Sequence, residues 1–244
     1  MAVKRVVLEV VDSTNRYLSG LLKENPEIGE LLVIADYQDS GKGLGDHIWH
    51  SMPGENLLVS LLLFPAFLSA SDQFYLSRVS SLALIDTLQS LSLHPNIKWP
   101  NDIMVNERKV AGILIENGIT GKKLSHTIIG IGLNLNQMEF PGFPQEASSV
   151  ALERGESSNR KEVTDFLLES LMKRYRQLED GDVSGLEREY LEHLFMLNLP
   201  AEYSSSGERF TGIIRGLSEL GELLVERDGK IRPYGFQEIS LLKS

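Results

Sequence analysis

The chain has 244 residues, 42% hydrophobic and 24% charged, an ordinary globular composition that excludes disorder, collagen and coiled coil as global descriptions and leaves room for one large domain or one domain with a small companion. Acidic residues outnumber basic ones 34 to 24, a formal net charge of -10, which argues against a surface built to coat nucleic acid. Cysteine is absent, so disulfides, thiolate zinc sites and thiol nucleophiles are excluded together.

At the N-terminus, Lys4, Arg5 and Glu9 interrupt the apolar residues of Met1 to Val11, unlike a signal peptide. Val6 to Val11 reads as a strand. Asp12-Ser13-Thr14 then offers a helix start, with Asp12 or Ser13 as N-cap and an apolar stripe of Tyr17, Leu18, Leu21 and Leu22 behind it. Leu31 to Tyr37 is a second strand. Gln38 to Asn56 holds four glycines and a proline, too many for a regular element. It reads as a long mobile loop, a feature often functional in compact domains. Leu57 to Phe64 returns to strand. The apolar stretch Leu57 to Leu68, broken by Ser60 and Pro65, falls short of the about 20 residues that span a bilayer. No membrane association and a cytoplasmic address are therefore expected.

Ser71 to Leu91 has helical periodicity. Ile97 to Trp99, Ile103 to Val105, Val110 to Glu116 and Thr127 to Leu135 read as successive strands, with a hairpin turn at Asn106-Glu107-Arg108. Met138 to Asn159 is Pro-, Gly- and Ser-rich and reads as a connecting loop. Arg160 to Leu178 and Val183 to Leu197 form a helical pair split by Asp180-Gly181-Asp182. From Pro200 the chain turns to short apolar-polar runs punctuated by glycine, with the tight-turn pair Asp228-Gly229. This tail predicts a small β-barrel module.

Three segments stand out chemically. In Gly41-Lys42-Gly43-Leu44-Gly45, preceded by Gln38 and followed by Trp49, alternate glycines let backbone N–H groups converge on an anion, although in isolation such a spacing reads better as a flexible surface loop. It is neither a Walker loop nor a Rossmann fingerprint. Lys98-Trp99-Pro100-Asn101-Asp102 is poor core strand, since proline removes a ladder donor. It is either a turn or an amide and a carboxylate facing a ligand. In Lys109 to Glu116, a lysine opens an apolar strand. That lysine is either a solvated strand end or an ammonium aimed at a carboxylate or phosphate. At an effective dielectric near 20, unit charges about 4 Å apart interact by about 4 kcal/mol. Gly112 would let a ligand lie against the backbone. The five histidines, His47 and His50 included, lack metal-ligand spacing, so no metal site is expected. There is no Gly-x-Ser-x-Gly elbow.

Taken in order, Asp12-Ser13-Thr14-Asn15, Gln38 before Gly41-Lys42-Gly43, Trp49-x-Ser51-x-x-Gly54-x-Asn56-Leu57, Lys98-Trp99-Pro100-Asn101-Asp102, Lys109-x-x-Gly112-Ile113-Leu114-x-Glu116 and Gly130-Ile131-Gly132-Leu133-Asn134-x-Asn136 resemble the catalytic region of biotin protein ligases. Each is weak alone, but six in the family's order are specific. The tail resembles that family's C-terminal SH3-like domain more loosely, in Gly221-x-Leu223-x-Val225 and Glu238-Ile239-Ser240-Leu241. The resemblance implies an α+β fold: a mixed, largely antiparallel sheet with flanking helices, like class II aminoacyl-tRNA synthetases, plus a small SH3-like β-barrel. Residues 1–198 would form the catalytic domain and 199–244 the C-terminal one.

It also implies a two-step ligation. Biotin and ATP-Mg give biotinyl-5′-AMP and pyrophosphate. A lysine of a biotin carboxyl carrier protein then takes the biotinyl group. By resemblance, Lys109, Asp102 and Lys42 carry catalysis. Ser13, Thr14, Asn15, Gln38, Gly41, Gly43, Lys109, Gly112, Ile113, Leu114 and Gly132 surround biotin. Lys42, Leu44, Trp49, Asn101, Asp102 and Asn134 lie on the nucleotide side. Lys109 would bridge the biotin carboxylate and the α-phosphate, while Asp102 would position the incoming lysine or a metal. A homodimer is compatible with the family's habits.

The chain departs from the family pattern in one loop. Relatives often read Gly-Arg-Gly-Arg-Arg-Gly-Arg where this chain has Gly-Lys-Gly-Leu-Gly-Asp-His, from Gly41 to His47. Leu44, Gly45 and His47 stand in arginine places and Asp46 in a glycine place. Lysine lacks arginine's bidentate fork, so weaker phosphate grip and readier adenylate release are expected. The ligase motifs begin at Asp12, which implies a monofunctional enzyme without a DNA-binding head. The alternatives are a lipoate or octanoate ligase or transferase, and a non-catalytic biotin or nucleotide sensor.

Overall fold

The computed structural model describes residues 3–45, 47–141 and 147–242. Its larger part is a seven-stranded mixed sheet. β1 (Lys4–Val11) runs parallel to β2 (Leu31–Gln38). β2 pairs antiparallel with β3 (Leu57–Leu63). Further neighbours follow in the order β7 (Lys123–Leu133), β6 (Arg108–Thr120), β5 (Asp102–Val105) and β4 (Pro95–Lys98), all antiparallel.

Both faces of the sheet are covered, which is why β3 is buried along its whole length and is apolar at every position but Ser60. On one face lies α1 (Thr14–Glu24), whose Leu18 packs on Leu31, Val33, Leu62 and Ile128. On the other lie α2 (Phe74–Ser90), α4 (Arg160–Glu179) and α5 (Val183–Glu192), packed on Leu32, Val59, Leu61 and Ile129. α2 sits between the sheet and the outer helices and is buried nearly all round. Its hydroxyls survive there by donating along the helix: Ser80 to the Leu76 carbonyl and Thr87 to that of Ala83, both at 2.7 Å.

The tail forms a five-stranded antiparallel sheet in the order β11 (Lys230–Tyr234), β10 (Leu223–Arg227), β9 (Glu208–Leu217), β8 (Pro200–Ser205), β12 (Ser240–Leu241). Asp228 and Gly229, with φ of 53° and 70°, make the two-residue turn the sequence announced. Asn106 and Glu107 do the same between β5 and β6, at 48° and 62°. The β module is tied to the main sheet by Trp99, whose Nε1 donates to the Gly221 carbonyl at 2.9 Å.

Three local expectations are corrected. The second helix of the pair stops at Glu192, short of Leu197. There the chain turns to pair with β4: Ile97 donates to the His193 carbonyl and Phe195 to that of Ile97, both at 2.8 Å. The Met138–Asn159 connection contains a short helix, α3 (Val150–Arg154), capped by the Ser149 hydroxyl and ended by Gly155 at φ 78°. One turn is too short to show periodicity. The glycine loop also has structure of its own: Lys42 bridges to Ile48, Gly43 donates to the His47 carbonyl at 2.8 Å, and Trp49 to that of Gly41 at 2.9 Å. Asp46 lies outside the described residues, as do residues 142–146 of the longer connection. Among the described residues no helix is long and apolar enough to cross a membrane.

Candidate functional site

Glycines open a groove on the sheet face that carries α1. Gly112 of β6 pairs directly with Gly132 of β7, so two adjacent positions lack side chains. The Trp49 indole lies across both. A Cβ on Gly132 would stand 2.6 Å from its Cζ2, and one on Gly112 3.0 Å from its Cζ3. Two positions along β7, Gly130 faces Ser60 of β3 and Leu114 of β6. A Cβ there would press on the Asn15 amide, 3.0 Å from Cγ.

The end of the groove nearest α1 is a polar network. The Thr14 N–H donates to Gln38 Oε1 at 2.7 Å. The Thr14 hydroxyl lies 3.0 Å from the same oxygen and 2.6 Å from the Ser60 hydroxyl. Ser60 Oγ is also 2.6 Å from Asn15 Oδ1, and Asn15 Nδ2 donates to Glu116 Oε2 at 2.8 Å. Ser13, Thr14, Asn15 and Ser60 are all buried, and buried polar groups persist only when bonded. Ahead of them, burial pushes the Asp12 carboxyl up, but the Arg16 guanidinium and the Ser13 N–H outweigh it and hold it below its ordinary value.

The other end is charged, and a β-bulge creates it. β5 and β6 pair Ile103 with Ala111 but Met104 with Lys109, leaving Val110 as the extra residue. In a regular strand, residues three apart point to opposite faces. The bulge re-aims Lys109 onto the face of Gly112, and Lys109 Nζ lies 3.4 Å from where a Gly112 Cβ would stand. Asp102, directly opposite Gly112, meets that ammonium as an ion pair at 2.6 Å. The ammonium also sits 5.7 Å from the centre of the Trp49 ring, within cation–π range.

These parts line one cavity of about 820 Å³ between the groove, the glycine loop and the C-terminal β module, a volume suited to a cofactor-sized ligand. The structure brings nearly all the residues singled out from the sequence to its wall. Ser13, Thr14, Asn15 and Gln38 stand at the polar end. Gly112, Ile113, Leu114 and Gly132 form the floor, Lys42, Gly43, Leu44 and Trp49 the loop side, and Asn101, Asp102, Lys109 and Asn134 the charged end. Gly41 instead faces a second hollow of about 500 Å³ behind the loop. It is kept a glycine by the Trp49 carbonyl, 2.7 Å from a would-be Cβ.

Two amides are already engaged. Asn101 Nδ2 donates to the Ile113 carbonyl at 3.0 Å. Asn134 Nδ2 donates to the Ser148 carbonyl at 2.9 Å, fixing the segment whose Ser148 N–H bonds the Lys109 carbonyl. Both therefore shape the wall through the backbone. Trp49 Nε1 and Ser51 Oγ are buried without a hydrogen-bond partner.

Sequence reasoning missed Ser60 and Gln137. A lone hydroxyl inside Leu57–Leu63 was the available signal for Ser60. Gln137 accepts from the Met52 N–H and from Asn56 Nδ2, joining two loops at the cavity rim, and no local pattern marks it. Among the described residues no group of three His, Cys, Asp or Glu is placed to hold a metal ion.

Comparison with known proteins agrees with this arrangement. The profile of the biotin/lipoate A/B protein ligase family matches residues 7–134. The chain is 32% identical over 245 residues to the bifunctional ligase/repressor BirA of Escherichia coli, covering 96% of this chain and 73% of that protein. It is 31% identical to the biotin–[acetyl-CoA-carboxylase] ligase of Paracoccus denitrificans, covering 90% and 92%. The biotin protein ligase of Aquifex aeolicus, solved in complex with biotin and ATP, superposes with a TM-score of 0.82 at 28% identity over 99% of both chains. With the glycine-floored groove, the bulged lysine and the C-terminal β module all present, the chain belongs to the biotin protein ligase family.

Proposed function

We propose that the protein activates biotin with ATP to biotinyl-5′-AMP and transfers the biotinyl group to a specific lysine of a biotin carboxyl carrier protein. The observation that carries this reading is the Lys109 ammonium, held by Asp102 over the bare floor at Gly112. In the first step a biotin carboxylate oxygen bonds the α-phosphorus while the bond to pyrophosphate breaks. Two anions must meet, and a fixed cation between them lowers that barrier. Lys109 is that cation, and Asp102 keeps it in place. Ser13, Thr14, Asn15 and Gln38 hydrogen-bond the ureido end. Gly43, Gly112, Ile113, Leu114 and Gly132 flank the ring and chain, with Gly41 supporting the loop from behind. Lys42, Leu44 and Trp49 cover the adenylate against water, while Asn101 and Asn134 shape the nucleotide side.

In the second step the carrier's neutral lysine amine attacks the anhydride carbonyl, loses a proton and expels AMP. Magnesium comes with ATP and takes its oxygen ligands largely from phosphate, which fits a cavity whose described carboxylate, Asp102, is already paired. Residues 1–198 act as the catalytic domain and 199–244 as the SH3-like one.

The family profile also spans lipoate ligases, and the test separates the two. Purified protein is assayed for ATP–pyrophosphate exchange with biotin or lipoate, then for labelling of a carrier domain. Biotin-dependent exchange is expected, and Lys109→Ala, its fold verified by circular dichroism, should lower it by about 100-fold or more. Exchange with lipoate alone would move the assignment to the other branch. No exchange with either would make the protein a binding module.

A further inference from the structure

The C-terminal β module reaches the glycine loop through the turn that precedes β12. Residues Gly235 to Glu238 close on themselves: Glu238 Oε2 accepts the Gly235 N–H at 2.7 Å, and the Glu238 N–H donates to the Gly235 carbonyl at 3.2 Å. Phe236 anchors the turn on the main domain, its ring 5.4 Å from Trp99 and 6.4 Å from Phe74. Gln237 then adopts a left-handed backbone, φ 67°, unusual for a residue with a side chain. Its amide lies against Gly45 of the loop, where a Cβ would stand 2.6 Å from Gln237 Nε2. Gly45 is itself left-handed, φ 66°. The loop thus meets the turn at a left-handed glycine, with the tip of the exposed Gln237 side chain resting against it.

We propose that Gln237 is a positioning residue for the loop segment Gly41–Gly45, setting from the C-terminal module how that segment lies over the nucleotide end of the cavity. The loop carries Lys42 and Leu44 on the cavity wall and turns back through Gly43 and His47. Fixing Gly45 therefore fixes where both point. Gly45 carries no side chain of its own, so the Gln237 amide is the group that occupies the space beside this point of the loop. Ile239 and Ser240, just past the turn, line the same cavity, which makes the brace continuous with the site wall.

The proposal rests on the ligase reading for its kinetic consequence but not for its structural one, and two measurements separate them. Gln237→Gly keeps the left-handed turn and removes the amide, while Gln237→Asn keeps an amide on a shorter arm. In the free protein, tryptic cleavage after Lys42 should be about 3–10-fold faster in Gln237→Gly at unchanged melting temperature, with Gln237→Asn between it and wild type. In the catalytic assay, Gln237→Gly should raise KM for ATP and speed loss of biotinyl-adenylate by about 3–10-fold, leaving biotin affinity unchanged. Cleavage and KM both within about twofold of wild type in Gln237→Gly would overturn the proposal. If the wild type forms no adenylate, the ligase reading fails, and the cleavage comparison alone decides the brace.

Discussion

Replacing Gly130 by alanine tests the construction of the groove most directly. Gly130 does not have a positive φ, so its backbone tolerates alanine and only space forbids it. The new methyl would lie 3.0 Å from Asn15 Cγ and 3.2 Å from Nδ2, inside the about 3.5–4.0 Å of a relaxed carbon contact. Asn15 is 3% exposed and tied to Glu116 Oε2 and the Ser60 hydroxyl, so it has little freedom to step aside. Overpacking of this kind costs about 1–3 kcal/mol. Tearing the buried amide from its partners adds about 1–3 kcal/mol. Glu116 is exposed and recovers water, which favours the lower half of that range for the second figure. The sum is about 2–5 kcal/mol, or a melting temperature lower by about 4–20 °C for a chain of this size.

Urea unfolding of Gly130→Ala, Asn15→Ala and the double variant measures the pair as a cycle. With the amide gone the methyl has room, so Gly130→Ala in the Asn15→Ala background should cost less than about 1 kcal/mol. A single Gly130→Ala within about 0.5 kcal/mol of wild type, or strict additivity in the cycle, would refute the argument that the glycine exists to seat Asn15.

Two other substitutions probe the scaffold. Arg174 forks onto both oxygens of Asp86 at 2.8 Å and also reaches Glu189 at 2.7 Å. Breaking a buried pair costs about 3–5 kcal/mol, but these carboxylates keep 20% and 30% exposure. Arg174→Ala should therefore lose about 2–3 kcal/mol in a denaturant titration, and a loss under 1 would show the fork to be idle. Burial pushes the His126 imidazole below its ordinary value. The unfolded chain, titrating near about 6.5, then binds the proton more readily than the native one. This contribution is flat above that pH and costs stability as pH falls below it. Unfolding free energies measured at about pH 7.5 and 5.5 should drop less on acidification in His126→Gln than in wild type, and equal drops would contradict the sign.

Much of the fold was legible because it rests on local chemistry. Alternating and continuous apolar runs marked the strands, Asp228-Gly229 marked its hairpin, and Thr14, Gln38, Asp102 and Lys109 carried their motifs in order. What escaped was short or non-local. α3 offers five residues and no period, and the helix after Val183 ends early because β4 recruits the chain beyond it. Gln137 and Gln237 matter through partners distant in sequence, and neither belongs to a spacing pattern.

The sequence by itself determined which residue types are available: a cation, a carboxylate, bare glycines and a short polar run ahead of a helix, in an order that points to one family. It also determined that no thiol is available for catalysis. Only the tertiary structure decided that Lys109 and Gly112 share a face. They are three residues apart and belong on opposite sides of a regular strand. The extra residue at Val110 turns the lysine round, and a bulge is a property of the pairing between two strands, invisible in either strand alone. The groove has the same origin. Gly112, Gly130 and Gly132 become one surface only when β6 and β7 pair in this register, and Trp49 and Asn15 then occupy the space the three missing side chains leave.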